Sequence, residues 1–195
     1  MQSQTGLLID HLWSPTDKNS YMRKAIFVVA GIVALIISAK IKFHFDLIAP
    51  PFTMQTAVVL FLAASMGWRL GAMSVIGYLM LGAMGQPVFA GTPEKGIGLA
   101  YMMSYTGGYL FGFLAMTFAV GYGAEKGLFR NQYVIFPIIL LGSLGILFFG
   151  FLYLGGLLNS YQAAWNAGVA PFLVIEVVKA VLVSASLVIL GVFTR

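Results

Sequence analysis

The sequence predicts an all-α membrane protein with six transmembrane helices and both termini in the cytoplasm. Hydrophobic residues make up 60% of its 195 residues and charged residues only 9%, whereas about a quarter of a soluble domain is charged. Six apolar stretches approach the length of about 20 residues that a membrane-spanning helix needs. Most basic residues fall at or beyond the ends of these stretches, where positive charge sets the orientation of a membrane protein.

Residues 1–22 precede the first apolar stretch and form a segment of their own. They are mostly polar and lack the apolar core of a secretory signal peptide. The run GLLIDHLW predicts a short helix lying on the membrane surface, and the alternative is a cytoplasmic tail without fixed structure. Residues 23–195 are predicted to form one six-helix transmembrane domain.

The six predicted helices are separated by short stretches with strong turn chemistry. The predicted spans are 23–41, 53–67, 69–89, 98–122, 133–157 and 167–193. The second and third spans are the hardest to separate, because only Trp68 and Arg69 interrupt a long apolar run. The first span carries a stripe of small residues, Ala30, Ala34 and Ser38. Such a stripe predicts close packing against another helix, in this chain or in a partner.

The distribution of basic residues predicts the orientation. Six spans place both termini on one side, and seven of the eleven Lys and Arg residues fall on that side. Three fall on the other side, and Lys179 lies inside a span. The positive-inside rule then places both termini in the cytoplasm, and we expect a multi-pass protein of the inner (plasma) membrane. The same scatter argues against a nucleic-acid-binding patch, despite a net charge of +5.

Signatures of common catalytic and metal sites are missing from the sequence. The chain has no cysteine, which excludes disulfides, thiol nucleophiles and Cys-ligated metals. His11 and His44 stand apart from other ligand types, so we predict no metal site. A GxxxxGK[ST] phosphate loop, an H-E-x-x-H motif and a Ser-His-Asp arrangement are also absent. The sequence therefore predicts a binding protein without a cofactor, and not an enzyme.

Two opposite charges lie inside the sixth predicted span. Glu176 and Lys179 are three residues apart, so they share one face of a helix. A charge at the centre of a membrane helix costs about 2.5–3.5 kcal/mol, and both side chains must therefore face the protein interior or a cavity. The pair is either a structural ion pair or a site for a polar ligand, and intramembrane charges more often mark function. In the second case Glu176 accepts N–H donors, and Lys179 donates to a carbonyl or carboxylate.

Other polar groups near predicted helix ends converge on the same level. The run PPFTMQT (50–56) offers Thr53, Gln55 and Thr56 after a rigid Pro-Pro turn. The run SYTGGYLFG (104–112) contributes Thr106, Tyr109 and two glycines that expose backbone N–H groups. Each run by itself is equally well explained by helix-end chemistry.

Taken together, these runs resemble the BioY family, the biotin-binding S components of energy-coupling factor (ECF) transporters. The resemblance covers roughly residues 25–190 and rests on PPFTMQT, GWRLGAMSVIGYLMLGAMGQPVFAG, TGGYLFGF and PFLVIEVVKA. The family's D-x-x-K pair corresponds to Glu176 and Lys179, with a longer acid here. Its G-P-T-G-G-Y run departs at the first two positions, Ser104 and Tyr105. Gln86 stands where an apolar residue is common.

The resemblance implies a six-helix subunit that captures biotin at its outer face and releases it to the cytoplasm. Phe89 and Tyr109 would pack against the bicyclic ring and the tail. The small-residue stripe would meet a transmembrane coupling subunit, and two ATPase subunits would drive transport. The substrate-binding residues implied are Glu176, Lys179, Thr106, Gly107, Tyr109, Phe89, Gln86, Thr53 and Gln55.

Three other functions stay open at this point. One is an S component for another small vitamin. Another is a membrane-embedded enzyme acting on lipid, which would need a nucleophile or base near Glu176. The last is a scaffold subunit in which the Glu176–Lys179 pair is structural, and it predicts that apolar replacements of both residues leave function intact.

Overall fold

The chain forms a helical bundle with one small β-ribbon. A computed structural model describes residues 7, 9, 20–45 and 48–191. The helices are α1 (Ser20–Lys40), α2 (Gln55–Ala83), α3 (Gly98–Met102), α4 (Gly107–Glu125), α5 (Gln132–Leu158), α6 (Tyr161–Gly168) and α7 (Leu173–Ile189). Strands β1 (Lys42–Phe45) and β2 (Ile48–Thr53) pair antiparallel, with a register irregularity between Phe43 and Phe45. The predicted all-helical class is confirmed, and the ribbon is an addition to it.

Five helical stretches in the described part of the chain are long and apolar enough to cross a membrane. They are Tyr21–Lys40, Gln55–Ala83, Gly107–Glu125, Gln132–Leu158 and Tyr161–Ile189. This confirms a multi-pass helical membrane protein. The count is one lower than the six predicted, because α2 contains most of both the predicted second span and the predicted third span.

Helix α2 reverses direction at Gly67. That residue has φ +75° and ψ 176°, a conformation that essentially only glycine adopts. The side-chain amide of Gln55 donates to the hydroxyl of Tyr78 at 2.6 Å, whereas a straight helix would separate them by about 35 Å. The two arms of α2, 55–66 and 68–83, therefore lie antiparallel.

The second arm of α2 ends earlier than the sequence predicted. Gly85 has φ +88° just beyond the helix, and the N–H of Gln86 donates to the carbonyl of Leu81 at 3.1 Å. This pairing closes the helix in a Schellman motif, and Pro87 cannot extend it. Residues 84–97 therefore form a connecting loop instead of the last turns of the predicted third span.

Short helices precede two of the predicted spans. The predicted span 98–122 divides into α3 and α4, and the predicted span 167–193 begins in α6 and a 3₁₀ turn at Ala170–Phe172 before α7. The predicted span 133–157 coincides with α5. Helix α2 packs against α1, α4, α5 and α7, so its two arms occupy the centre of the bundle.

The choice between a surface helix and a free tail for residues 1–22 lies mostly outside the described residues. Leu7 and Ile9 are described, and both are buried in the hydrophobic core. Arg23 Nη2 donates to the carbonyl oxygen of Ile9 at 2.6 Å. An added Cβ on Gly67 would lie 3.1 Å from Leu7. This part of the segment therefore packs onto the bundle where α2 reverses.

Candidate ligand-binding site

A cavity of about 450 Å³ lies at the end of the bundle opposite Gly67. Its wall combines the beginning of α2, the 84–97 loop, the α3–α4 region, the end of α5, α6 and the beginning of α7. The volume falls within the range of small-molecule sites, about 300–1,000 Å³. Most of the wall is apolar or aromatic, with a few polar groups among these residues.

The charged pair of α7 borders this cavity as part of a buried network. Glu176 is 1% exposed and Lys179 is 4% exposed. Lys179 Nζ donates to Glu176 Oε1 at 2.7 Å and to Thr56 Oγ1 at 3.0 Å. Thr56 donates in turn to Glu176 Oε1 at 3.1 Å, and Ser143 donates to Glu176 Oε2. Helices α2, α5 and α7 thus meet at one carboxylate.

The network leaves capacity to bind a ligand. A carboxylate offers about four acceptor positions, and Glu176 receives three donors from the described residues. An ammonium has three N–H groups, and Lys179 is shown with two acceptors. Both residues line the cavity, so an additional acceptor position and an additional N–H lie at its wall. Hydrogen bonds to charged groups are stronger than those between neutral groups, and they strengthen further where water is excluded.

Six of the nine predicted substrate-binding residues line the cavity, and three do not. The six are Thr53, Gln55, Thr106, Tyr109, Glu176 and Lys179. Gln86 is exposed on the 84–97 loop, away from the cavity wall. Gly107 lies where α4 begins, and an added Cβ would collide with the carbonyl of Met102 and approach the Tyr153 ring. Packing alone therefore accounts for glycine at position 107.

Phe89 lies behind the cavity wall. It is 1% exposed, stacks on Tyr101 with ring centroids 4.8 Å apart, and meets Tyr78 edge-on at 5.3 Å. Tyr101 is the aromatic residue of this stack that faces the cavity. Its hydroxyl donates to the carbonyl of Ala90 at 2.8 Å, and burial raises the pKa of this phenol above its ordinary value. The Tyr101 hydroxyl therefore stays a neutral donor at pH 7.

Tyr109 has two roles in the wall. Its ring lines the cavity, and its hydroxyl donates to the carbonyl of Gly168 at 2.6 Å. This bond ties α4 to the end of α6. An added Cβ on Gly168 would lie 2.5 Å from that hydroxyl, so the close approach requires a glycine there.

Sequence reasoning missed Ser143, Tyr101 and Lys95. Ser143 is an isolated hydroxyl in the apolar run IILLGSLGILFFG, and a polar side chain at that depth is a usable signal. Tyr101 and Lys95 carry no local signal, because only the folding of the 84–97 loop and α3 brings them to the cavity. Within the described residues, no cluster of three His, Cys, Asp or Glu side chains is placed to hold a metal ion.

The three residues of the small-residue stripe of α1 differ in their exposure. Ala30 is exposed, Ala34 is half-buried, and Ser38 is buried with its hydroxyl bonded to the carbonyl of Leu35 at 2.8 Å. Residues four apart drift by about 40° around a helix of 3.6 residues per turn. Ser38 therefore turns into the bundle while Ala30 faces outward.

Comparison with known proteins identifies the family. The family model described as BioY family matches residues 11–192. The chain belongs to the BioY family. Curated relatives include the biotin transporter BioY of Thermotoga maritima, 34% identical over 164 residues that cover 84% of this chain and 92% of the relative. The probable biotin transporter BioY of Pyrococcus horikoshii is 34% identical and covers 80% of this chain and 90% of the relative.

The fold of this BioY family member is also found in a solved structure. It is similar to the crystal structure of the S-component for biotin from an ECF-type ABC transporter, with a TM-score of 0.76. The match covers 90% of this chain and 93% of that one at 21% identity, and at this identity it shows the fold alone. The curated relatives are transporters by name, which confirms the expectation of a transport protein and not an enzyme.

Proposed function

We propose that the protein is the biotin-binding membrane subunit of an ECF-type transporter. It captures biotin at the outer face of the membrane and delivers it to the cytoplasm. The supporting observation is the buried Glu176–Lys179–Thr56–Ser143 network at the wall of a largely apolar cavity. Membership of the BioY family and the relatives' names supply the substrate.

The chemistry of biotin suits this cavity. Its ureido ring presents N–H donors beside a carbonyl acceptor, and the network presents an acceptor, Glu176, beside a donor, Lys179. The six predicted residues that line the cavity are our proposed contacts: Thr53, Gln55, Thr106, Tyr109, Glu176 and Lys179. Phe89 and Gly107 act indirectly in this proposal, through Tyr101 and through the packing of α4. Gln86 has no contact in it.

Binding to the purified chain tests the substrate. In detergent we expect saturable binding of labelled biotin with a Kd below about 1 μM, equivalent to at least about 8 kcal/mol of binding free energy. Excess unlabelled biotin should displace the label, and excess thiamine or riboflavin should not. Absence of biotin binding, with tight binding of another vitamin, would replace the proposal by an S component for that vitamin.

We further propose that the chain crosses the inner (plasma) membrane six times, with both termini in the cytoplasm. The reversal at Gly67 supports two crossings within α2. The cavity then opens outward, because it lies at the end of the bundle opposite Gly67. The positive-inside count supports the same orientation.

Single-cysteine labelling tests this topology, because the natural chain has no cysteine. Met84→Cys and Arg69→Cys place thiols at positions that are exposed at opposite ends of the second arm of α2. In intact cells we expect a membrane-impermeant maleimide to label position 84 and to label position 69 only after permeabilisation. Labelling of both positions from outside would contradict the hairpin orientation.

The proposed partners are a transmembrane coupling subunit and two ATPase subunits. The outward-facing side of α1, which contains Ala30 and borders Ala34, is the proposed contact with the coupling subunit. Ser38 is buried and supports the packing of α1 in this proposal. The absence of a phosphate loop from the sequence agrees with ATP hydrolysis by other chains.

A further inference from the structure

The last residue of α1 reaches across to the loop that forms part of the cavity wall. Lys40 Nζ donates to the carbonyl of Phe89 at 2.9 Å, to the carbonyl of Thr92 at 3.2 Å and to Thr92 Oγ1 at 3.0 Å. Of the described residues that line the cavity, none belongs to α1. Lys40 thus connects an element outside the site to an element within it.

The two residues that Lys40 contacts lie on either side of one of the two parts of the loop that face the cavity, the other being Lys95. Ala90 and Gly91 line the cavity, and Phe89 and Thr92 lie on either side of them. Phe89 also supports the ring of Tyr101, a wall residue, through stacking. Thr92 is buried and donates to the carbonyl of Phe89 at 2.7 Å. The Lys40 ammonium therefore contacts both residues that flank the wall residues Ala90 and Gly91.

Two common roles of a lysine at the end of a helix do not explain the hydrogen bonds that Lys40 makes. A cation in the last turn of a helix interacts favourably with the free carbonyl groups at the end of that helix. A lysine at a membrane boundary extends its ammonium toward water. Here the ammonium points to backbone and side-chain oxygens of a loop about 50 residues further along the chain. Charge-assisted bonds to a loop carbonyl restrict the loop far more than either ordinary role requires.

We propose that Lys40 is a positioning residue that holds the 84–97 loop in its ligand-binding conformation. The loop contains Gly85, Gly91 and Gly96, all with positive φ, and glycine restricts the backbone less than any other residue. Without the Lys40 bonds the loop populates other conformations, and apparent affinity falls in proportion to the fraction that remains competent. This inference rests on the proposed function in one respect: biotin is the ligand whose binding is measured.

Ligand binding provides the first test. Lys40→Met keeps the length and helix propensity of the side chain but removes its hydrogen bonds. We expect biotin affinity to fall about tenfold or more, mainly through faster dissociation, with a smaller loss in Lys40→Arg. Lys24→Met is the matched control, because Lys24 lies exposed near the other end of α1 and its loss should leave affinity unchanged. Unchanged affinity in Lys40→Met would overturn the proposal.

Loop accessibility without ligand provides the second test, which does not depend on biotin. Ala90→Cys introduces a thiol into the half-buried wall of a cysteine-free chain. We expect a maleimide to react several-fold faster with this thiol in the Lys40→Met background than in the Lys24→Met background. Equal rates would refute the positioning role. Faster labelling in a protein that binds no biotin would keep the role of Lys40 and reject the proposed function instead.

Discussion

Replacing Glu176 with alanine is expected to weaken biotin binding by at least about a hundredfold and to destabilise the protein. The carboxylate accepts bonds from Lys179, Thr56 and Ser143. Its removal leaves the Lys179 ammonium, only 4% exposed, without its counter-charge. Removal of one partner from a buried ion pair typically costs about 3–5 kcal/mol. Equilibrium binding and thermal unfolding in detergent measure the two effects separately.

A double substitution separates a ligand-holding pair from a purely structural one. Glu176→Leu combined with Lys179→Met removes both charges and keeps side-chain volume, and such replacements are often neutral or stabilising. We expect the thermal midpoint to recover most of the loss seen with Glu176→Ala, while biotin binding stays absent. Biotin binding in the double variant would mean that the ion pair is structural and that Glu176 and Lys179 do not hold the ligand.

Serine substitutions test the second helix of the network. Ser143→Ala removes a donor to Glu176 that comes from α5, and we expect roughly a tenfold loss of affinity. Ser184→Ala is the matched control on α7, because its hydroxyl donates to the Ala180 carbonyl of its own helix at 2.6 Å. An equal effect of the two substitutions would assign the loss to general packing and not to the carboxylate.

Gly121→Ala is expected to destabilise the bundle by about 3 kcal/mol. A Cβ on Gly121 would lie 2.5 Å from the backbone nitrogen of Trp68 and 2.8 Å from the carbonyl carbon of Gly67. These are main-chain atoms at the reversal of α2, so they cannot move aside as a flexible side chain does. Overpacking of this kind costs about 1–3 kcal/mol, occasionally more. Because α2 also carries Gln55 and Thr56 to the cavity, we expect a moderate loss of biotin affinity.

Unfolding in detergent measures this prediction against a glycine with open surroundings. An added Cβ on Gly156 of α5 would meet nothing within 4 Å. Gly156→Ala should therefore leave stability unchanged or raise it slightly, since alanine favours helix. Gly67→Ala should destabilise by about 1–3 kcal/mol through backbone strain. Similar stability of Gly121→Ala and Gly156→Ala would contradict the close approach of α4 to the reversal.

The charged residues of the site were predictable because a membrane makes them conspicuous. A charge inside an apolar helix is costly, so Glu176 and Lys179 stand out from sequence alone, and their spacing places them on one face. Thr56 also stood near a predicted helix start. Phe89 was assigned to ligand packing, yet the structure buries it behind Tyr101. The ring that faces the cavity is that of Tyr101 and not that of Phe89, because the fold of the loop between the two residues sets the position of each ring.

The spans were predictable where a long apolar run sets both ends of a helix. They were less predictable where a single residue sets the end. Residues 133–157 coincide with α5 because a long apolar run has few other conformations available in lipid. Helix α2 ends in a Schellman motif at Gly85. The sequence prediction extended the span to residue 89, because the residues around Gly85 are mostly apolar. The ribbon of β1 and β2 was not predicted, since a four-residue strand is too short for a clear alternating pattern.

Local sequence is enough to establish the membrane class, the orientation signal, the absence of a phosphate loop and the position of the charged pair. These properties follow from local composition and spacing, which every conformation of the chain shares. The tertiary structure alone decided that α2 folds back on itself, that Ser143 joins Glu176, and that Lys40 holds the 84–97 loop. Each of these depends on contacts between residues far apart in the chain, and packing against other helices selects them.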